Sequence, residues 1–412
     1  MPTLSPVASA LVPVDSAAAE AISAPNYDEF QSDLEVWEIL QRQPKSLLTV
    51  TMSHCHVGDL KDAPSEGGEV ALQHAAAEMQ KLIDDEQTRT IEGLLWVYEI
   101  TSPKRPNAPQ LGVGGHGATA EIRTDENPAG NIIRNEGIRP EKMQGRADLL
   151  NAISADTGFV NLAVQDKSGQ LLDALNQVAA SRACDLEVID EDKNRHRVWF
   201  LTDAAQQQKF VDLIQAEPAA YVADGNHRSA AAAQLGKPHF LSVFFPTGRL
   251  GLEPYNRLLP LNGLSAEEFL GKVQEQFELE SLGAVDTYRP DAVNKFGLYI
   301  GGSWHSLTPK AGSFNPDDAA EAIDAAIIQQ HIIDGLLGMS DARDKRINYV
   351  GGNKDAAYLK ARVDAGDYDL ALSLAPVTMD QFVAVCEQNK FMPPKSTWFD
   401  PKIRTGLVIS LL

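Results

Sequence analysis

The run Ala219-Ala-Tyr-Val-Ala-Asp-Gly-Asn-His-Arg-Ser-Ala-Ala-Ala-Ala-Gln-Leu-Gly236 decides how the rest of the chain is read. A short apolar stretch meets Asp224-Gly225 and passes directly into an alanine-rich helical segment. Such a join gathers backbone N–H groups and the positive end of a helix dipole at one point, which suits a bound phosphate. Gly225 lets the backbone come close to a ligand, and Asn226, His227 and Arg228 add an amide, an imidazole and a guanidinium that can grip two oxygens. The competing reading is structural: Asp224 caps a helix and Arg228 pairs with a surface carboxylate.

Working outward, 412 residues suffice for two or three domains, and a hydrophobic content of 43% fills their cores. A net charge of −21 argues against nucleic acid as a partner, since it repels a phosphate backbone unless a basic patch is sharply localised. The basic groupings Lys104-Arg105 and Arg343-Asp-Lys-Arg346 are short and lie beside acids or prolines. Cys55, Cys184 and Cys386 are far apart and odd in number, which fits a reducing cytosol with no disulfide framework. No run approaches the roughly twenty apolar residues needed to span a bilayer, so no membrane partner is expected and a cytoplasmic location is. Residues 1–25 are rich in Ala, Ser, Pro and Val without a basic n-region, and read as a loosely ordered leader.

Strand and helix signals alternate along the whole chain, which predicts an α+β fold of mixed sheets with helices. Helices are expected at Asp33–Arg42, Glu69–Asp84, Gln170–Ser181, from Asp203 to about 215, at 316–335 behind Pro316, at 354–365 and at 378–389. Ser265-Ala-Glu-Glu268 is a capping box for a further helix. Strands are expected at 46–52, 94–100, 118–123, 159–164, 184–190, Arg195–Leu201, 238–245, Phe296–Ile300, Leu370–Leu374 and 405–411. The proline-punctuated segment 102–109 suits a hairpin tip. These elements divide into an N-terminal α/β part at 26–130, a core carrying the Asp-Gly-x-His-Arg site at 131–255, and a C-terminal α/β part at 256–412.

Four other constellations bear on chemistry. In Asn131-Ile-Ile-Arg-Asn-Glu-Gly137, Arg134 and Glu136 are two apart and would share one face of a strand. Arg139, Glu141, Lys142, Arg146 and Asp148 follow, either as a solvated helix face or as part of an anion site. In Phe391-Met-Pro-Pro-Lys-Ser-Thr-Trp-Phe-Asp-Pro-Lys402, two prolines stiffen the backbone ahead of Lys395, Ser396 and Thr397, while Trp398 and Phe399 would anchor it. The bland reading of that run is a stiff connector into a last strand. Gly112-Val-Gly-Gly-His-Gly117 is read as glycines in a bent hairpin rather than a phosphate loop, since no helical segment follows. His54-Cys55-His56 has no second Cys or His pair at metal spacing nearby, which argues against zinc.

On these residues the chain resembles the domain-of-unknown-function 1015 family of prokaryotic proteins, over roughly residue 25 to the C-terminus. Ala223-Asp-Gly-Asn-His-Arg228 resembles its Ala-Asp-Gly-His-His-Arg signature, and Met392-Pro-Pro-Lys-Ser-Thr397 with Pro401-Lys402 resembles its closing segment. Arg134, Glu136, Lys142 and Arg146, and Asp341-Ala-Arg-Asp-Lys-Arg346 with Tyr349-Val-Gly-Gly352, are similarly family-like. The Asp-Gly-x-His-Arg junction also resembles the ParB and sulfiredoxin superfamily. That resemblance implies a ParB/sulfiredoxin-like central core at about 136–245, flanked by the N- and C-terminal α/β parts, with nucleotide phosphates at the helix start. One branch of that superfamily phosphorylates free serine. Asn135 and Asn226 stand where the family often has histidine, and no cysteine lies near Asp224 to support sulfiredoxin chemistry.

The function expected is a nucleotide-dependent small-molecule kinase or related phosphoryl-transfer enzyme, acting on a hydroxyl-bearing metabolite with Mg²⁺ and ATP or ADP. Gly225, Asn226, His227 and Arg228 hold phosphates with Arg134 and Arg146 in support, and Glu136, His227 and Asp224 are the catalytic candidates. Asp224 also meets Mg²⁺ through water, and Lys395, Ser396 and Thr397 bind the acceptor. No zinc, haem or flavin is expected, and a homodimer is kept open. The alternatives are a non-catalytic nucleotide-binding sensor or scaffold, and a phosphatase or transferase acting on a phosphorylated metabolite.

Overall fold

Backbone polar groups must be paired, and this chain pairs them in two separate units. A computed structural model describes residues 1–30, 32–342 and 344–412, with only the backbone described at Asp28. Arg343, in the basic grouping 343–346, lies outside the described residues. The first unit comprises Met1–Arg134, Ile138–Leu250 and Pro401–Leu412; the second comprises Asn135–Gly137 and Gly251–Asp400. The expected boundaries at 130 and 255 therefore shift, and the tripeptide holding Glu136 and the last twelve residues (401–412) each segregate away from their chain neighbours.

In the first unit twelve described strands form one mixed sheet. Its main path runs Ile132–Arg134, Ala220–Asp224, Val160–Val164, His239–Pro246, Gln110–Ala118, Thr88–Thr101, Val7–Pro13, Ile409–Leu411 and Ala155–Asp156. Ala220–Asp224 runs parallel to Ile132–Arg134 and antiparallel to Val160–Val164, which in turn runs parallel to His239–Pro246. The helices Gln170–Ser181 and Ala204–Gln215 carry Leu171, Leu175, Val178, Phe210 and Ile214 into the core against Val160, Leu162 and Val222. Asp203 caps the second of these helices by accepting from Gln206 N at 2.8 Å.

The expected leader is instead part of the sheet. Val7–Pro13 pairs with Thr88–Thr101 on one side and Ile409–Leu411 on the other, and helix Ser16–Ile22 follows. Small and apolar residues give this segment a leader's composition because it has neighbours on both edges, and Val7, Ala10, Leu11 and Val12 are buried. Residues 46–52 form helix Leu48–Thr51 rather than a strand, with the Thr49 and Thr51 hydroxyls donating to the Ser46 and Leu47 carbonyls. A run this short, rich in Leu, Val and Thr, does not distinguish the two by periodicity. Residues 118–123 hold the 3₁₀ turn Thr119–Glu121, not a strand.

The glycine-rich segment does form a strand, Gln110–Ala118, in a hairpin with Thr88–Thr101. Its glycines clear space for large side chains. A Cβ on Gly112 would lie 2.8 Å from the Phe245 ring, and one on Gly114 would overlap the Trp96 ring.

In the second unit six strands pair antiparallel in the order Phe277–Gly283, Ser303–Pro309, Phe296–Ile300, Leu370–Leu374, Asn256–Leu259 and Asn348–Val350. Leu252–Pro254 pairs separately with Thr397–Phe399. The capping box at Ser265 and Glu268 opens helix Ala266–Gln276 as expected, and a second box opens Met379–Glu387 at Thr378. The single helix expected at 316–335 does not form. Asp318 instead accepts from Ala320 N and Glu321 N and pairs with Lys390, so helix begins only at Asp324–Ile328 and continues as the π-helical turn Gln329–Asp334. Local side-chain bonds to backbone N–H groups compete with helix there. Both units mix helices with sheets, and the fold is α+β.

Gly114→Ala is expected to destabilise the first unit by about 1–3 kcal/mol, because Trp96 is fully buried and has no room to retreat. Urea unfolding, with the midpoint moving and the slope constant, checks it.

Candidate functional site

Strand Ala220–Asp224 ends where helix Asn226–Gln234 begins, with Gly225 between them at φ 97°. A left-handed residue is needed to turn from strand to helix in one step, and glycine takes it without a Cβ penalty. Gly225, the N-cap residue, has no side chain with which to cap this helix. The backbone geometry expected from the sequence is therefore present.

Arg228 lies on the first turn, 8% exposed. Its Nη2 donates to Asp224 Oδ1 at 3.3 Å, and Lys402 Nζ donates to Asp224 Oδ2 at 2.7 Å. Asp224 is thus held between two cations. The Arg228 stem crosses two glycines: a Cβ on Gly158 would meet its Cδ at 2.8 Å, and one on Gly225 would meet its Nε at 3.1 Å. Any larger residue at 158 would push the guanidinium aside.

His227 has a different job from the one expected. Its Nε2 accepts from the backbone N–H of Arg139 at 3.0 Å. The ring is therefore assigned its proton on Nδ1, and Nε2 is spent on the entry to helix Pro140–Ile153. His227 positions that helix, whose own N-cap residue Arg139 makes no side-chain cap bond. Arg146, on the same helix, lays its guanidinium 3.2 Å from the Tyr27 ring centroid and comes within 3.9 Å of Glu66.

Arg146 and Arg228 line one cavity together with Tyr27, Leu150, Asp156 and Gly158. Its wall mixes the apolar side chains of Leu149, Leu150 and Ile153 with the polar ones of Asn26, Thr51, Thr157 and Thr405. Asp156 Oδ2 accepts from Leu241 N at 2.8 Å and Oδ1 from Gly158 N at 3.2 Å. Burial pushes the Asp156 carboxyl up to about 6, against the pull of those two N–H bonds and of Arg228. Asn161 pairs in register with Asp224 and is 4% exposed, and its Oδ1 accepts no hydrogen bond from any described residue. Arg134 ends strand Ile132–Arg134 opposite Val222; burial lowers its pKa, and its Nε likewise has no partner among the described residues.

The second unit holds the other expected residues. Strand Ile132–Arg134 stops before Glu136, so Arg134 and Glu136 do not share a strand face. Asn135 O, next to Glu136, accepts from Met392 N at 3.0 Å, which joins that tripeptide to the proline-rich loop. Lys395 sits at φ 59°, with Nζ donating to Tyr255 Oη at 3.2 Å. Its carbonyl accepts from Arg257 Nη2 at 3.0 Å, and Ser396 Oγ donates to Pro393 O at 2.6 Å. Thr397 begins a strand opposite Pro254, and Trp398 and Phe399 are buried as expected. Ser396 therefore locks the loop with its hydroxyl.

The structure brings Asp224, Gly225, Asn226, His227, Arg228, Arg134 and Arg146 into the first unit, and Glu136, Lys395, Ser396 and Thr397 into the second. Lys402, Asp156 and Gly158 were missed as site residues. Lys402 alone had a signal, its place in Pro401-Lys402; a carboxylate and a glycine on a two-residue strand and its following turn have none.

Asp156 and His116 set opposite pH trends. His116, paired with Ser410 Oγ at 2.9 Å, is held at about 4, chiefly by burial and then by His239. Its neutral form stabilises above the ordinary histidine value and that contribution is lost as pH falls toward 4. Asp156 contributes below the ordinary carboxylate value and loses that contribution as pH rises through about 6. Asp156→Asn leaves the His116 trend intact. The stability of the variant relative to the wild type should rise between pH 4 and 6 and then level off, in denaturant titrations at several pH values.

No curated protein matches the sequence. Among solved structures, a free serine kinase in complex with AMP is similar at a TM-score of 0.36 and 11% identity, covering 65% of this chain and 83% of that one. SbnI with a C-terminal truncation, from Staphylococcus aureus, is similar at 0.37 and 10%, covering 70% and 82%. A conserved hypothetical protein from Pyrococcus furiosus is similar at 0.33 and 12%, covering 66% and 89%. A family model matches residues 4–330, stopping short of the Met-Pro-Pro-Lys-Ser-Thr loop, and the chain belongs to that family, the proteins of unknown function DUF1015.

Proposed function

We propose that this chain binds a nucleotide by its phosphates at the start of helix Asn226–Gln234 and transfers a phosphoryl group to the hydroxyl of a small metabolite. The observation that carries the reading is Arg228: a buried guanidinium, paired with Asp224, on the first turn of a helix entered through Gly225 and lining a cavity. Gly225 and Asn226 supply backbone approach, and Arg134 and Arg146 add positive charge. A ParB/sulfiredoxin-like core around this junction is part of the same proposal.

Phosphoryl transfer asks little covalent chemistry of a protein; it needs cations on the phosphates and a base for the attacking hydroxyl. Mg²⁺ enters as the nucleotide's own ion. Asp224, whose two oxygens already accept from Arg228 and Lys402, would meet it only through water. Glu136 is assigned as the base and Lys395 and Thr397 as acceptor-binding groups on their chemistry alone; Ser396 supports the loop. His227 acts through Arg139 as a positioning residue.

A second reading is a nucleotide sensor without chemistry. The Arg228–Asp224 pair and the cavity beside it serve binding with or without a base.

Calorimetry with ATP, ADP and AMP in the presence of Mg²⁺ tests the binding step. Arg228→Gln is expected to weaken affinity by about tenfold to a hundredfold, the loss of a charge-assisted pair of hydrogen bonds. No nucleotide binding by the wild type sinks the proposal. Glu136→Ala is expected to keep affinity and to lose turnover against a panel of hydroxy-amino acids and sugars. Phosphorylated product formed equally by both proteins removes Glu136 as base, and no product from either favours the sensor.

A further inference from the structure

Helix Asp33–Arg42 and the 3₁₀ turn Ser53–Cys55 bring three unlike donors together: the Asp33 carboxylate, the His54 imidazole and the Cys55 thiol. One ligand atom from each lies within 4.8 Å of the other two. His54 Nε2 stands 3.4 Å from Asp33 Oδ1. We propose that Asp33, His54 and Cys55 bind a divalent transition metal, Zn²⁺ by the character of the donors, with a fourth position left for water or a further carboxylate.

Tetrahedral zinc, with bonds of about 2.0–2.3 Å, separates its ligand atoms by roughly 3.3–3.8 Å. The trio needs to contract by about 1.0–1.5 Å at most to reach that spacing. The movable member is the right one. His54 and Cys55 are 4% and 0% exposed and sit on a turn pinned by Ser53 Oγ donating to Ala71 O at 2.6 Å. Asp33, with a side chain 60% exposed at the first helical position, can swing inward. Sulfur and nitrogen beside a single carboxylate disfavour Mg²⁺ and Ca²⁺, which take oxygen shells, and favour a borderline-soft ion.

The plain alternative is a buried imidazole paired with a surface acid, beside an inert thiol. Redox or nucleophilic use of the thiol does not compete, since Cys55 is fully buried. Glu66, an exposed carboxylate whose charge also acts on Cys55, lies outside the group of three donors. Bound metal would staple the helix to the turn beside the small core of Val36, Leu40, Leu48 and Met52. The proposal is independent of the nucleotide reading. It also revises the expectation of no zinc, because the third donor is Asp33, on a separate helix well upstream of the His-Cys pair.

The test uses the full chain, stripped with a chelator, dialysed and titrated with Co²⁺. One equivalent should bind with a near-ultraviolet thiolate-to-cobalt band and the visible bands of four-coordinate cobalt, and Zn²⁺ should displace it. Asp33→Asn, at an exposed side chain, should weaken Co²⁺ by about tenfold or more. Cys55→Ser, folded by circular dichroism, should erase the thiolate band; should it not fold, Asp33→Asn remains decisive. Absence of the thiolate band in the wild type, or a Co²⁺ affinity that Asp33→Asn leaves unchanged, overturns the proposal.

Discussion

A guanidinium is costly to bury, and the first unit is arranged around making one tolerable. Arg228 is enclosed at the point where a strand becomes a helix, with the Asp224 carboxylate as its counter-charge. Lys402 Nζ neutralises the other oxygen of that carboxylate. The arrangement carries one more positive charge than negative when only these three are counted. Asp156, nearby and with its pKa raised to about 6 by burial, adds a second carboxylate that acts on Arg228.

Glycine placement follows from the same constraint. Gly225 makes the turn, while Gly158 gives way to the Arg228 stem from a different strand connection. The glycines of Gln110–Ala118 give way to Trp96 and Phe245 instead. One residue type thus serves backbone conformation at one position and a neighbour's bulk at others. The run Gly112-Val-Gly-Gly-His-Gly117 looks like a phosphate loop only if the first role is assumed.

The elements most legible in the sequence were those whose determinants are local. Asp203 before Ala204–Gln215, the Ser265 box and the Asp224-Gly225 junction each act within a few residues. What was not legible depends on partners far along the chain. Val7–Pro13 is a strand because Thr88–Thr101 and Ile409–Leu411 flank it, and 316–323 stays out of helix because Lys390 and local turns hold Asp318. The site divides the same way: Gly225 and Arg228 could be read from spacing, whereas Lys402, Gly158 and the Arg139 N–H that occupies His227 could not. The proposed metal donors were missed because Asp33 is on another helix.

The antiparallel pairing of Ala10 with Ser410 has a consequence for synthesis. A ribosome releases Val7–Pro13 long before the strand that covers its second edge exists. Until Pro401–Leu412 emerges, that edge is open to wrong partners, and Asp224 lacks the Lys402 ammonium. The pairing of Asp224 is therefore complete only when translation has passed the last strand, and a nascent chain halted earlier would carry that turn without the Lys402 charge.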